Sequence, residues 1–260
     1  MAELGWRVFA TVRKEADGES LLAEATGKNC QDLITPVLCD ITQAEQVAAL
    51  AKTVSEATPQ LDALVNNAGT AFAAPLELLS LDDIRAQFEI NTVAHIGVIQ
   101  ALLPLLKAAH GTIINVSSVS GRIATPIVGA YAASKFALEA LSDALRVELA
   151  PFGVRVVVIE PNSSGTNIWQ TSAQRATEKL EEHRNGPYGR LLNTMEKMVA
   201  RMDKSGFPPQ LVANTVQTIL TSPKPRARYP VPPSARWAIR LRQWLPDSFW
   251  DRQIRRMMRW

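Results

Sequence analysis

Five short apolar runs alternate with helical patterns over the first 160 residues. That alternation restricts the fold more than any other feature of the chain. The runs cover residues 6–12, 33–38, 61–65, 111–116 and 154–160. The spacing between them predicts helices over 16–26, 42–57, from Ser80 onward, 90–109 and 131–150. Strands that read as unbroken apolar stretches, as 154–159 does, belong to parallel sheets covered on both faces. The expected fold is therefore α/β, a doubly wound parallel sheet in three α/β/α layers, with ligands at the carboxyl edge of the strands. A chain of 260 residues supports one sizeable core, read here as one domain: a core over 1–166, a substrate lid over 167–206 and a helical tail over 207–260.

Local signals refine this outline. Residues 1–4 read as a last helical turn closed by Gly5. Thr42 with Glu45 three residues on reads as a capping box. Pro104 should kink or end the helix over 90–109. No run of 18 apolar residues occurs, so no membrane-spanning helix is predicted, and no secretory signal pattern is seen. Cys30 and Cys39 have no metal-like spacing and no nearby His, so they read as buried thiols of a reducing, cytoplasmic compartment, and no metal site is expected.

The chemistry concentrates between Ser117 and Lys135. Tyr131 and Lys135 are four apart on a predicted helix and share one face. Ser118 lies thirteen residues before the Tyr, just past an apolar strand. A phenol, an ammonium and a hydroxyl thus meet at the carboxyl edge of the sheet, which reads as a proton-transfer site.

With Asp40, Asn66-Asn67-Ala68-Gly69, Asn91, Ser118, Tyr131, Lys135 and Pro161 in this order and spacing, residues 1 to about 166 resemble the short-chain dehydrogenase/reductase family in its compact form. The resemblance implies a Rossmann-like fold and an NAD(P)-dependent oxidoreductase that interconverts an alcohol and its carbonyl. It makes Asn91, Ser118, Tyr131 and Lys135 the catalytic set. Tyr131 would be the acid or base, its phenol made more acidic by Lys135 and by the positive nicotinamide. Lys135 would also hold the nicotinamide ribose, Ser118 would orient the substrate oxygen, and Asn91 would hold a water linking Lys135 to solvent. Cofactor contacts would come from Arg13, Asp40, Asn67, Ala68, Gly69, Tyr131, Lys135, Pro161 and Thr166. Arg13 and Lys14 stand where members that use NAD generally carry an acidic residue, which favours NADP(H) over NAD(H). Asp40 would face the adenine. Homodimers or homotetramers packing through the helices at 90–109 and 131–150 are implied as well.

Two departures stand out. The family's first strand and its T-G-x-x-x-G-x-G turn have no counterpart: the early glycines are Gly5, Gly18 and Gly27. The strand would lie centrally, between the runs at 6–12 and 61–65, so apolar edges would stay unpaired on both sides. The chain reads either as an N-terminally truncated member or as a degenerate one with little or no cofactor binding or activity. After the last core strand, Asn162 and Ser164 replace the family's Gly and Val/Ile, while Thr166 keeps its register.

On the substrate side Phe72, Ile123, Pro126, Ile127, Ile168 and Trp169 are apolar, which points to a lipophilic alcohol or ketone of steroid, retinoid or long-chain type. The tail is basic. Residues 225–260 hold nine Arg against two Asp, although the whole chain carries only +3. Trp237, Leu241, Trp244 and Leu245 form one helical face, and Trp250, Ile254, Met257 and Met258 a second. Such helices can pack over a pocket or a partner subunit, or lie on an anionic membrane. Nucleic acid is the least favoured partner and is set aside.

Overall fold

The structure, a computed structural model, describes residues 1–162, 180–194, 196–197 and 206–258. The expected alternation is present. Strands β1 (Val8–Val12), β2 (Ile34–Leu38), β3 (Ala63–Asn66), β4 (Thr112–Val116) and β5 (Arg155–Pro161) alternate with helices α1 (Glu15–Thr26), α2 (Ala44–Ala57), α3 (Leu81–Phe88), α4 (Ala94–Ala108) and α5 (Gly129–Glu148). Beyond them lie α6 (Gln210–Thr221), a further strand β6 (Arg228–Val231), α7 (Ala235–Trp244) and α8 (Asp247–Met258). All strand pairs are parallel. This is a three-layer α/β/α arrangement of Rossmann type.

The strands form two separate sheets, β1-β2 and β3-β4-β5-β6. The break falls between β1 and β3, where the family's first strand was expected. A cavity of about 240 Å³ occupies it, walled by Phe9 and Thr11 of β1, Leu64 of β3, Val54 of α2, and His95 and Val98 of α4. The main core continues on that side, where Val47, Leu50 and Val54 of α2 pack with Val98, Ile99, Leu102 and Leu106 of α4. Strand β4 is buried along its whole length, because β3 and β5 pair both its edges and helices cover both its faces.

Several local expectations need correction. Helix α2 starts at Ala44, and its capping residue Gln43 makes no side-chain cap. Thr42 instead donates its hydroxyl to Asp40 Oδ1 at 2.7 Å, and its N–H goes to the same oxygen at 3.0 Å, a local turn that competes with capping. Pro104 sits inside α4 without ending it. The apolar helix at 90–109 does not begin as an α-helix, because Glu89–Val93 form one π-helical turn joining α3 to α4. The joined run Leu81–Ala108 is long and apolar enough to cross a membrane by length and composition, a test that buried core helices also meet. It serves here as a core element, with His95, Val98, Ile99, Leu102 and Leu106 buried. Strand β6 was not foreseen. It is short, contains Pro230 and, among the described residues, pairs with β5 alone.

Candidate active site

Three side chains from one helical run fix the loop after β3. Asn91 accepts from the Thr70 N–H at 2.9 Å and donates to the Thr70 carbonyl at 3.0 Å. Gln87, one turn earlier, donates to the same carbonyl at 2.7 Å and accepts from Phe72 N–H at 2.8 Å. His95, one turn later, bonds the Ala68 carbonyl through Nε2 at 2.8 Å. Burial, reinforced by the Lys135 charge, pushes His95 down to about 4, so it is neutral and Nε2 carries the proton. All three are fully buried. The π turn sets Asn91 in register to reach both Thr70 and, through Nδ2, Ser134 Oγ at 3.0 Å. Asn66 is tied to Asn115 of β4 at 2.9 Å. Held from below in this way, Asn67, Ala68 and Gly69 present an exposed backbone ledge.

Opposite the ledge, Ser118 follows β4 in extended backbone and accepts from Ser120 N–H at 3.0 Å, which closes the turn at Val119–Gly121. Its hydroxyl lies 3.2 Å from the Pro161 carbonyl and is hydrogen-bonded to the Tyr131 phenol. Helix α5 begins at Gly129, two residues before the predicted start, so Tyr131 sits in its first turn. The preceding Ile127 has φ +75°, a conformation that β-branched residues rarely adopt. Its carbonyl accepts from Ala74 N–H at 2.9 Å, which ties the start of α5 to the loop after β3.

Tyr131 is 7% exposed and Lys135 4%. Lys135 Nζ donates to the Val116 carbonyl at 2.9 Å and lies 6.0 Å from the centre of the Tyr131 ring. Burial pushes Lys135 down to about 8, against the pull of the Glu139 carboxylate. The Tyr131 phenol is also shifted by burial, above its usual value, and the Ser118 hydrogen bond offsets only part of this. In this arrangement burial dominates.

Ledge, Ser118, Tyr131, Lys135, Pro161 and Asn162 line one cavity of about 560 Å³ at the carboxyl ends of the strands, closed on its far side by Pro209, Val212 and Val216 at α6. Gly69 belongs to this wall, and a Cβ there would stand 3.4 Å from Asn91 Oδ1 and 3.8 Å from Lys135 Nζ. The absence of a side chain keeps that face open for a flat ring to approach. The sequence-predicted residues Asn67, Gly69, Ser118, Tyr131, Lys135 and Pro161 are thus brought together, with Ala68 on the same ledge and Asn91 directly behind it. Arg13 is exposed just past the end of β1. Asp40 lies past the end of β2, its carboxyl held below the usual range first by the two Thr42 hydrogen bonds, with Arg13 adding to the effect. Thr166, Ile168 and Trp169 lie outside the described residues, as does most of the expected lid. Sequence reasoning missed Gln87 and His95, which share the helical face of Asn91 at four-residue spacing. It also missed Glu139, one turn beyond Lys135.

Comparison with known proteins identifies the family. A sequence model of the short chain dehydrogenase family matches residues 1–177. Mouse retinol dehydrogenase 5 is 36% identical over 256 residues, covering 94% of this chain and 77% of that protein. An NADPH-dependent 3-dehydrocapnine reductase of Ornithobacterium rhinotracheale is 31% identical, over 95% of this chain and 87% of its own. A short-chain dehydrogenase/reductase of Burkholderia phymatum, solved in complex with NAD, has the same fold with a TM-score of 0.79 at 22% identity, covering 93% of this chain and 85% of that one. The chain belongs to the short-chain dehydrogenase/reductase family, oxidoreductases that act on CH–OH groups with a nicotinamide cofactor.

Proposed function

We propose that this protein interconverts a lipophilic alcohol and its carbonyl compound, with Tyr131 as the acid–base group and NADP(H) as the favoured cofactor. The observation that carries this is the Tyr131–Ser118 hydrogen bond, with Lys135 one turn on, buried at the mouth of the 560 Å³ cavity. In the reductive direction Tyr131 gives its proton to the carbonyl oxygen, and in the oxidative direction it takes the proton from the hydroxyl. Ser118 is placed to hold that oxygen beside the phenol. The Lys135 ammonium and the ledge at Asn67–Gly69 would hold the nicotinamide ribose and ring, with Pro161 and Thr166 on the opposite side and Asp40 toward the adenine. Bound there, the nicotinamide supplies or accepts the hydride, while the protein supplies position and protons. Asn91 anchors the ledge to α5, and its role in a water-linked proton path is part of the same proposal.

The preference for NADP(H) rests on Arg13 and Lys14, two cations at the end of β1 with no carboxylate in the place used for a ribose hydroxyl. Arg13→Glu is expected to lower the ratio of NADPH to NADH turnover about tenfold or more. An unchanged ratio would refute the assignment of Arg13. The apolar walls at Val212 and Val216 favour an apolar substrate. Ketones differing only by an added carboxylate should therefore turn over more slowly, and equal rates would refute this substrate class.

The tail divides into two roles. Helix α8 seats Met258 and Ile254 against Ala73, Ile127 and Leu191, covering the loops on the substrate side. Helix α7 leaves Trp237, Leu241 and Trp244 exposed on one face, with Arg236 and Arg240 stacked on Trp237. That face suits a peripheral contact between an otherwise cytoplasmic protein and an anionic membrane. Pelleting with anionic vesicles should fall sharply in Trp237→Ser/Trp244→Ser, and unaltered pelleting would refute it. Exposed Val93, Phe136 and Val147 on α5 and the helical run before α4 suit a homodimer or homotetramer. A monomeric mass by sedimentation at micromolar concentration would refute that.

A further inference from the structure

Helix α5 carries Tyr131, Lys135, Glu139 and Asp143 at successive four-residue steps, so all four lie along one face. The first two belong to the active-site cavity. The last two run into a charge cluster that the reaction does not explain. Arg228 of β6 donates through Nε to Glu139 Oε2 at 2.9 Å, stands 3.6 Å from Glu160 Oε1 of β5, and reaches both Asp143 oxygens through Nη2 at 2.7 Å. Arg122, just past the Val119–Gly121 turn, donates to Glu160 Oε1 at 3.3 Å. Arg146 pairs with Asp143 on its outer side. Glu139 and Glu160 are 5% and 2% exposed. Four elements, α5, β5, β6 and the turn after β4, are joined through this cluster.

The turn at Val119–Gly121 links the cluster to the machinery. Ser117 lies between Val116, whose carbonyl takes the Lys135 proton donor, and Ser118, which bonds Tyr131. A Cβ on Gly121 would stand 2.7 Å from Ser117 Oγ and 3.1 Å from both Glu139 Cγ and the Lys135 carbonyl, so the turn lies flat on α5 between the two sites. Glu139 Oε1 and Ser117 Oγ are buried and make no hydrogen bond among the described residues. A buried ammonium with a backbone carbonyl as acceptor is costly to keep charged unless a carboxylate is near. Of the charged groups around Lys135, Glu139 is the one that favours its protonated form.

We propose that Glu139, oriented by Arg228, is a positioning residue that keeps the Lys135 ammonium charged in its buried site. This deepens the assignment of Tyr131 and Lys135 as the acid–base pair and rests on it. Arg228 does two things: it fixes the Glu139 carboxylate against α5, and it separates Glu139 from Glu160, whose carboxyl is pushed up to about 7 by burial and by the Glu139 charge. The groups facing the pair are Arg122 from the turn, Glu160 from β5, Arg228 from β6, Asp143 and Arg146 from α5, and the neutral His95 from α4.

The test is a direct titration of Lys135 by side-chain ¹³C/¹⁵N NMR of the full chain, with the resonance assigned by its loss in Lys135→Met. The wild-type midpoint is expected near 8. Glu139→Gln should move it down by about half a pH unit or more, and Glu139→Asp should restore it. General loosening of the site would admit water and move it the other way, toward 10.5. A midpoint that stays or rises in folded Glu139→Gln overturns the inference. Should that variant not fold, the Arg228 pair decides: Arg228→Met should lower the midpoint, because it frees the Glu139 carboxylate that Arg228 holds against α5, and Arg228→Lys should not; a midpoint that stays or rises in Arg228→Met overturns it. None of these readouts needs turnover. An unmoved midpoint together with activity lost in Tyr131→Phe would refute this role for Glu139 and leave the acid–base pair standing.

Discussion

Tyr131→Phe is expected to lower carbonyl reduction by about 10²- to 10⁴-fold, with the fold intact and NADPH affinity changed little. The substitution removes one oxygen from a fully buried ring and adds no volume. Ser118 keeps its contacts with the Pro161 carbonyl and the Ser120 N–H, so the site around the lost hydroxyl remains ordered. The stability cost is that of one buried hydrogen bond, about 1 kcal/mol. The rate cost is far larger, because among the described residues no other acidic proton stands at the cavity beside Ser118: Lys135 is turned to the Val116 carbonyl and His95 to the Ala68 carbonyl. Steady-state kinetics at millimolar NADPH, with circular dichroism as the control for folding, checks this. A folded variant within tenfold of wild type would show that the phenol is not the acid.

The second large effect concerns affinity. The 260-residue chain is expected to bind NADPH with a Kd no tighter than about 100 µM. The ledge and Lys135 are the proposed seat of the nicotinamide end, and among the described residues the phosphates have no comparable seat. Among the described residues no glycine-rich turn lies at the break between β1 and β3, and the helix that opens nearest Arg13 carries Glu15 and Asp17 in its first turn. Acidic side chains there occupy the positive end of the helix and repel a phosphate. Arg13 and Lys14 recover some attraction for a 2′-phosphate, and that contact is screened by salt. Isothermal titration of the purified chain measures the constant. A Kd in the low micromolar range would contradict the account and locate a phosphate site that these residues do not supply.

Much of the fold was legible because its signals are local. Each strand from β1 to β5 is an apolar run, and each helix between them has its own period and its own boundary, as at Ser80, whose hydroxyl accepts from the Asp83 N–H at 3.1 Å. The break in the sheet could be placed from the order of the motifs, and the two sheets β1-β2 and β3-β4-β5-β6 part at that point. Features that depend on distant partners were not legible. Strand β6 forms because β5 offers an unpaired edge, although Arg228-Tyr229-Pro230-Val231 has little strand character alone. The π turn at Glu89–Val93 keeps a helical spacing in sequence and differs only in its hydrogen bonding. Thr42 had two uses, a cap or a turn with Asp40, and the turn won.

The candidate site shows the same division. Ser118, Tyr131 and Lys135 follow from one strand, one turn and one helix, so their spacing placed them together. The acidity of Tyr131 was not legible, because the burial of the phenol and the direction of Lys135 Nζ, here toward the Val116 carbonyl, are set by tertiary packing. Glu139 could have been found from the helical period alone. Arg228 could not, since it arrives from a residue 89 positions along the chain.

The central claim is that Tyr131 protonates the carbonyl oxygen while the ledge at Asn67–Gly69 presents a nicotinamide to its carbon. Incubation of the chain with millimolar NADPH deuterated at C4 and a lipophilic prochiral ketone tests both halves at once, read by mass spectrometry and chiral chromatography of the alcohol. The account predicts one deuterium in the product, predominantly in one enantiomer, with little product from Tyr131→Phe. Unlabelled or racemic alcohol, or equal labelled product from Tyr131→Phe, would contradict it.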